Sequence, residues 1–154
     1  MELYDELLTI ITLFEDNQID YALCGGIAVA FHGYARFTKD IDFLVQESDL
    51  ERITILIADI GYEMSSGRMP FGSGTPHFRE VFRISKFGEN ELFTLDFMLV
   101  TPVFEDVWED REVFEWQERQ IQVVSISGLS KMKKLAGRDQ DLLDLKKLGV
   151  IEDE

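Results

Sequence analysis

Between positions 2 and 17 the apolar residues Leu3, Leu7, Leu8, Ile11, Leu13 and Phe14 recur at close to 3.6 residues, with acidic and polar side chains between them. That period predicts an amphipathic helix with one buried face. IDYALCG (19–25) breaks the period and reads as a short buried strand. It ends at Gly25 and Gly26, where the backbone is free to turn into a second helix over about 27–34. DIDFLV (40–45) reads as another strand, and Ser48 followed by Glu51 has the capping-box spacing that predicts a helix ending at Gly61. Residues 65–77, SSGRMPFGSGTPH, concentrate glycine, serine and proline and read as a mobile loop.

Two strands over about 78–87 and 91–100 follow, joined by a turn at GEN. Residues 101–110 predict a short helix after Pro102, and REVFEWQERQIQVVS (111–125) a hairpin or strand pair. From Ser127 onward leucines and charges alternate at helical spacing, interrupted at Gly137, which predicts two short helices. The pattern as a whole is an α/β fold: a small mixed sheet flanked by helices and closed by a C-terminal helical pair. At 154 residues we expect one domain, with a sheet-bearing core over 1–124 and the helices over 125–154.

Inside this pattern the carboxylates are out of place. Asp40 and Asp42 stand two apart on a strand, so they share a face while Ile41 and Phe43 share the other. Parallel carboxylates repel and resist burial unless a cation neutralises them, and hard oxygen ligands at this spacing suit Mg²⁺ or Mn²⁺. LFTLDFMLV (92–100) sets Asp96 alone among apolar residues. If the two strands are neighbours, the three acids make a site with room for two metals about 4 Å apart, the arrangement used for in-line phosphoryl displacement. A strand that ends in Gly25-Gly26 at a helix start turns backbone N–H groups toward a phosphate. Thirteen residues (27–39) then return the chain to the strand that carries the acids.

A glycine pair alone is a turn, and two acids on a strand are ordinarily a solvated face; the order of glycine pair, paired acids and lone acid carries the functional reading. His32 reads as a packed side chain, His77 as exposed, Cys24 as a small core residue, and Trp108 and Trp116 as core anchors. Arg79 and Arg83 share a strand face that could line a nucleotide pocket or form surface ion pairs. Lys133, Asp141, Asp144 and Lys146 read as charges on helix surfaces.

These residues resemble a known family. GGIAVAFHGYARFTKDID (25–42), with the later lone aspartate, resembles the nucleotidyltransferase superfamily of the DNA polymerase β type. More narrowly it is similar to small bacterial nucleotidyltransferases related to abortive-infection toxins. KMKKLAGRDQDLLDL (131–145) is similar to the helical motif near their C-termini. The resemblance implies a metal-dependent transfer of a nucleoside monophosphate from a nucleoside triphosphate to an acceptor hydroxyl, with release of pyrophosphate. By position it implies Asp40, Asp42 and Asp96 as metal ligands and catalytic residues, Asp96 assisting deprotonation of the acceptor. Gly25 and Gly26 would hold phosphates, Arg36 and Thr38 would orient the loop or a phosphate, and Lys131 or Lys134, with Arg138, would meet the triphosphate. A protein or tRNA acceptor, and an antitoxin partner, follow if the chain is toxin-like. A lincosamide or aminoglycoside acceptor is the alternative within enzymes, and a non-catalytic partner-binding module the alternative outside them.

Charge weighs on that choice. The formal net charge of -15, from 15 basic and 30 acidic residues, repels nucleic acid and anionic membranes at long range and attracts a cationic acceptor. The single cysteine, Cys24, excludes an internal disulfide framework, and the acidic start MELYDELLTI lacks the basic residues of a signal peptide. No apolar run approaches the roughly 18 residues of a membrane helix. We therefore expect a cytoplasmic protein with no membrane partner.

Overall fold

The computed structural model describes residues 3–34 and 37–150. Helix α1 (Leu3–Asp16) leads into strand β1 (Ala22–Cys24), helix α2 (Gly25–Phe31), strand β2 (Asp40–Val45) and helix α3 (Leu50–Ala58). Strands β3 (Met64–Phe71), β4 (Arg79–Phe87) and β5 (Leu92–Leu99) follow, then helix α4 (Glu105–Glu109) and the hairpin β6 (Glu112–Trp116) and β7 (Arg119–Val123). Helices α5 (Ile126–Ala136) and α6 (Asp139–Lys147) close the chain. The strands form one seven-stranded sheet in the order β3-β4-β5-β2-β1-β7-β6. β2 pairs with β5, and β1 with β7, in parallel; the other neighbours are antiparallel. This is the mixed sheet with flanking helices that the hydrophobic pattern predicts.

Alternation along the central strands decides which face is core. Ile41, Phe43 and Val45 of β2 and Leu95, Phe97 and Leu99 of β5 are buried on one face. There Phe43 stacks on Phe97 with ring centroids 5.5 Å apart, and Phe14 of α1 meets Phe43 edge-on at 5.3 Å. Aromatic pairs in these geometries add about 0.5–1.5 kcal/mol each beyond their buried area. The intervening residues Asp40, Asp42 and Asp96 fall on the opposite face, so packing on one side of the sheet fixes the position of the acids on the other.

Three local expectations are corrected. Most of the segment read as a mobile loop is β3, an edge strand paired from Met64 opposite Ser85 to Phe71 opposite Arg79. An edge strand in solvent needs no apolar alternation and tolerates Pro70, so its composition is that of a loop. Residues 72–77 alone form the turn. The Ser48–Glu51 capping box does not form: Glu47–Asp49 is a 3-10 turn, α3 starts at Leu50, and its cap residue Asp49 spends its carboxylate on Arg52 at 3.0 Å. Helix α2 starts at Gly25, within the glycine pair, and ends at Phe31. His32 and Cys24 sit as expected, His32 Nε2 lying 2.8 Å from the Val124 carbonyl and Cys24 in the core. Among the described residues no helix is long and apolar enough to cross a membrane.

Candidate active site

Strand register lines up four side chains across the sheet. Arg83 of β4 is opposite Asp96 of β5, Asp96 is beside Asp42 of β2, and Asp42 is opposite Cys24 at the end of β1. Neighbouring strands lie about 4.8 Å apart, so Asp42 and Asp96 are close like charges. Asp40, two residues before Asp42, shares its face. Burial, then the charges of Asp96 and Asp40, push the Asp42 carboxyl up to about 7. Burial and the Asp96 charge likewise raise Asp40. The Cys24 thiol is held well above its ordinary range by burial first and Asp42 second.

Asp96 has a cation partner within the chain. Arg83 Nε and Nη2 donate to its two oxygens at 2.7 and 2.9 Å. No cation is ion-paired to Asp42 among the described residues, where Arg83 is held by Asp96 and Lys133 by Asp144. Among those residues no group of three or more His, Cys, Asp or Glu side chains is gathered tightly enough to enclose an ion as it stands. The donor set is nevertheless chemically suited to a hard divalent cation: carboxylates on neighbouring strands, mutually repelling, of which only Asp96 is paired with a cation among the described residues.

Gly25 closes the site on the β1 side. It adopts φ +63°, and a Cβ built there would lie 2.0 Å from Asp42 Oδ2. Backbone therefore approaches the acid where no other residue fits. Above these residues opens a cavity of about 370 Å³ between the sheet and α5. Its wall carries Asp42, Asp96 and Asp141 beside the cations Arg79, Arg83, Lys133 and Arg138, and an apolar side that includes Met69, Phe71, Met98 and Met132. Arg79 ties β4 to α5 by donating from Nη2 to the Leu135 carbonyl at 3.1 Å.

The other sequence-predicted residues distribute unevenly. Gly26 is buried in α2, and Thr38 Oγ1 donates to the Asp40 carbonyl at 3.2 Å, bracing the start of β2. Arg36 lies outside the described residues. Arg138 lines the cavity and donates from Nε to Asp141 at 2.7 Å. Neither Lys131 nor Lys134 lines it: Lys131 is paired with Asp106 at 2.9 Å, and Lys134 is exposed.

The lysine at the cavity is Lys133, which sequence reasoning left on the helix surface. It is buried, 2.8 Å from Asp144 and 3.6 Å from Asp141, both buried as well. The reading of these three as surface charges is therefore corrected. The phase of α5 carried the signal: Leu129, Met132, Lys133 and Ala136 form one i, i+3, i+4, i+7 stripe, so Lys133 shares the inward face.

The model of a family described as uncharacterised nucleotidyltransferase matches residues 1–127. No curated protein sequence matches the chain significantly. Among solved structures the chain is similar to the lincosamide antibiotic adenylyltransferase LnuA with lincomycin bound, at TM-score 0.62 and 21% identity over 94% of this chain and 95% of that one. It is similar to TM1012 of Thermotoga maritima, assigned to the nucleotidyltransferases, at TM-score 0.61 and 15% identity over 96% and 94%. It is also similar to ANT(2")-Ia in complex with adenylyl-2"-tobramycin, at TM-score 0.56 and 11% identity over 94% and 85%. At these identities the likeness is one of fold.

Proposed function

The chain belongs to the uncharacterised nucleotidyltransferase family, and we propose that it moves a nucleoside monophosphate from a nucleoside triphosphate to an acceptor hydroxyl with release of pyrophosphate. The observation that carries this reading is the close approach of Gly25 to Asp42, in register with Asp96, at the floor of a cavity walled by four cationic side chains. A carboxylate pair meant only for structure would not set Asp42, which has no ion-paired cation among the described residues, where glycine alone fits. In this reading Asp40, Asp42 and Asp96 hold Mg²⁺ or Mn²⁺. A divalent cation there would supply Lewis-acid polarisation of the triphosphate and neutralise charge that develops in displacement.

The chain's own residues do the rest. Gly25 and Gly26 let the backbone approach the phosphates without a side chain in the way. Arg79, Arg138 and Lys133 face the negative charge of the triphosphate, and Asp144 and Asp141 hold Lys133 in place. Thr38 steadies the entry to β2. Asp96 lies beside Asp42, placed to take the proton of the acceptor hydroxyl as its oxygen attacks the α-phosphorus and the bond to pyrophosphate breaks.

For the acceptor, the methionines and Phe71 of the cavity wall suit a small molecule with an apolar body, and the net charge of -15 favours a cationic one over RNA. LnuA with lincomycin and ANT(2")-Ia with adenylyl-2"-tobramycin carry small-molecule antibiotics on the same fold, which supports a small acceptor here. A nucleoside triphosphate donor supports a cytoplasmic setting.

Calorimetric titration of each nucleoside triphosphate with Mg²⁺, into the wild type and Asp42→Asn, tests the donor assignment. Metal-dependent binding that the substitution weakens by about tenfold or more is expected. Absence of binding to folded wild type would sink it and leave a partner-binding module. Growth arrest on expression would move the acceptor from a small molecule to a macromolecule.

A further inference from the structure

Arg83 and Asp96 are matched across the β4–β5 register, and the guanidinium fork covers both carboxylate oxygens at 2.7 and 2.9 Å. A cation that took Asp96 as a ligand would compete with those N–H groups for the carboxylate and crowd the guanidinium with like charge, which favours displacing at least one of them. The displaced group has somewhere to go: the Arg83 side chain is 43% exposed, and it lines the same cavity as Arg79 and Arg138. Asp96, at 14% exposed, does not follow it out.

We propose that Arg83 couples cation binding to nucleotide binding, holding Asp96 until a divalent cation and a triphosphate arrive together and then exchanging the carboxylate for the triphosphate. This rests on the cation site proposed above. A divalent cation arriving alone breaks a bidentate charge-assisted pair and leaves the freed guanidinium beside a like charge. A triphosphate arriving with it supplies anionic oxygens that fit the same planar fork. Each ligand therefore removes the obstacle to the other, and the coupling is reciprocal by linkage. Arg83 is in this sense a positioning residue: it acts through Asp96 and sets the order in which the site assembles.

The test titrates Mn²⁺ into the full chain and follows the loss of the free-ion paramagnetic resonance signal. It is run with and without the α,β-methylene analogues of the four ribonucleoside triphosphates, with Mn²⁺ uptake by each analogue alone measured in parallel and subtracted, on wild type, Arg83→Met and Arg83→Lys. In wild type one analogue should tighten Mn²⁺ binding by about tenfold or more. Arg83→Met should bind Mn²⁺ without nucleotide about tenfold more tightly than wild type, and lose most of the nucleotide effect. Arg83→Lys keeps the charge but not the fork, should fall between the two, and serves alone if Arg83→Met does not fold. Folded variants with wild-type Mn²⁺ affinity and a wild-type nucleotide effect would overturn the coupling and leave Arg83 a structural partner, with the function untouched. Failure of folded wild type to bind Mn²⁺ under any of these conditions would remove the cation site itself, and the coupling with it.

Discussion

A hydrogen atom is all that Gly25 can present to Asp42. Gly25 and Gly137 have nearly the same φ, +63° and +65°, but a Cβ at Gly137 meets nothing nearer than the Lys134 carbonyl at 3.8 Å. Alanine at either position pays the left-handed backbone cost of about 1–2 kcal/mol. Alanine at 25 must also push Asp42 aside. Gly137→Ala is thus expected to lower unfolding stability by that backbone cost and keep nucleotide binding, whereas Gly25→Ala should lose more stability and abolish binding; equal losses in a denaturant titration would remove the special role of the contact. Asp42 has the opposite profile. Held up to about 7 by burial and two neighbouring carboxylates, it is charged at pH 8 against resistance from its surroundings. Asp42→Asn should therefore stabilise the protein at pH 8, without divalent ions, by about 1 kcal/mol or more, and reduce transfer activity by at least about a thousandfold. Thermal melting and a pyrophosphate-release assay on the same preparation read both effects.

At the scale of elements, α5 and α6 are joined to each other and to the cavity by a charged network. Lys133 reaches from α5 to Asp144 and Asp141 of α6, and Arg138 at the start of α6 caps it by pairing with Asp141. Removing the lysine takes the 2.8 Å cation from buried Asp144 and leaves Asp141 with Arg138, so Lys133→Met should cost about 3–5 kcal/mol, and Lys133→Met with Asp144→Leu should recover much of it. The network also sets an acid limit. Burial alone would raise the Asp141 carboxyl, but the hydrogen bond and charge of Arg138, with Lys133, carry it below its ordinary value. A group depressed in the folded state adds stability that is fully present above its unfolded pKa of about 3.9 and is lost as pH falls toward the folded value. Asp141→Asn should cost stability at pH 7, and the cost should shrink as pH falls below about 3.9; a constant loss on both sides of that pH would show that the ion pairs contribute nothing. Legibility in the sequence follows the same physics. DIDFLV and LFTLDFMLV announced β2, β5 and their carboxylates because burial of one face imposes a period of two and makes any acid conspicuous. β3 was illegible because an exposed edge strand imposes no such period. Lys133 was missed because three lysines in four positions mask the phase of α5, and the flanking Leu129 and Ala136 were needed to set it. Asp96 was foreseen, but its pairing with Arg83 depends on the β4–β5 register, which no local pattern states.

The whole molecule presents two fields to a nucleotide. At long range the -15 formal charge repels a triphosphate; at short range Arg79, Arg83, Lys133 and Arg138 in the cavity attract it. Salt separates these terms, because the screening length falls from about 30 Å at 0.01 M to about 8 Å at 0.15 M, shorter than the protein but longer than a hydrogen bond. Raising ionic strength over that interval should speed association of a fluorescent nucleoside triphosphate analogue severalfold, the reverse of the dependence seen when a basic surface steers an anion. Dissociation, governed by contacts inside the cavity, should change less. The acceptor gives the opposite test on the same protein: a cationic small molecule should associate more slowly as salt rises, because the acidic exterior that hinders the donor gathers the acceptor. Stopped-flow measurements of both arms decide the matter. If donor association slows with salt, the cavity cations dominate the field even at a distance, and the acidic exterior loses its place as an argument against a polyanionic acceptor such as RNA. If the donor speeds up and the acceptor slows down, the surface charge is itself part of acceptor selection, and substituting exposed acids far from the cavity should change association rates without changing the transfer step proposed at Asp42 and Asp96.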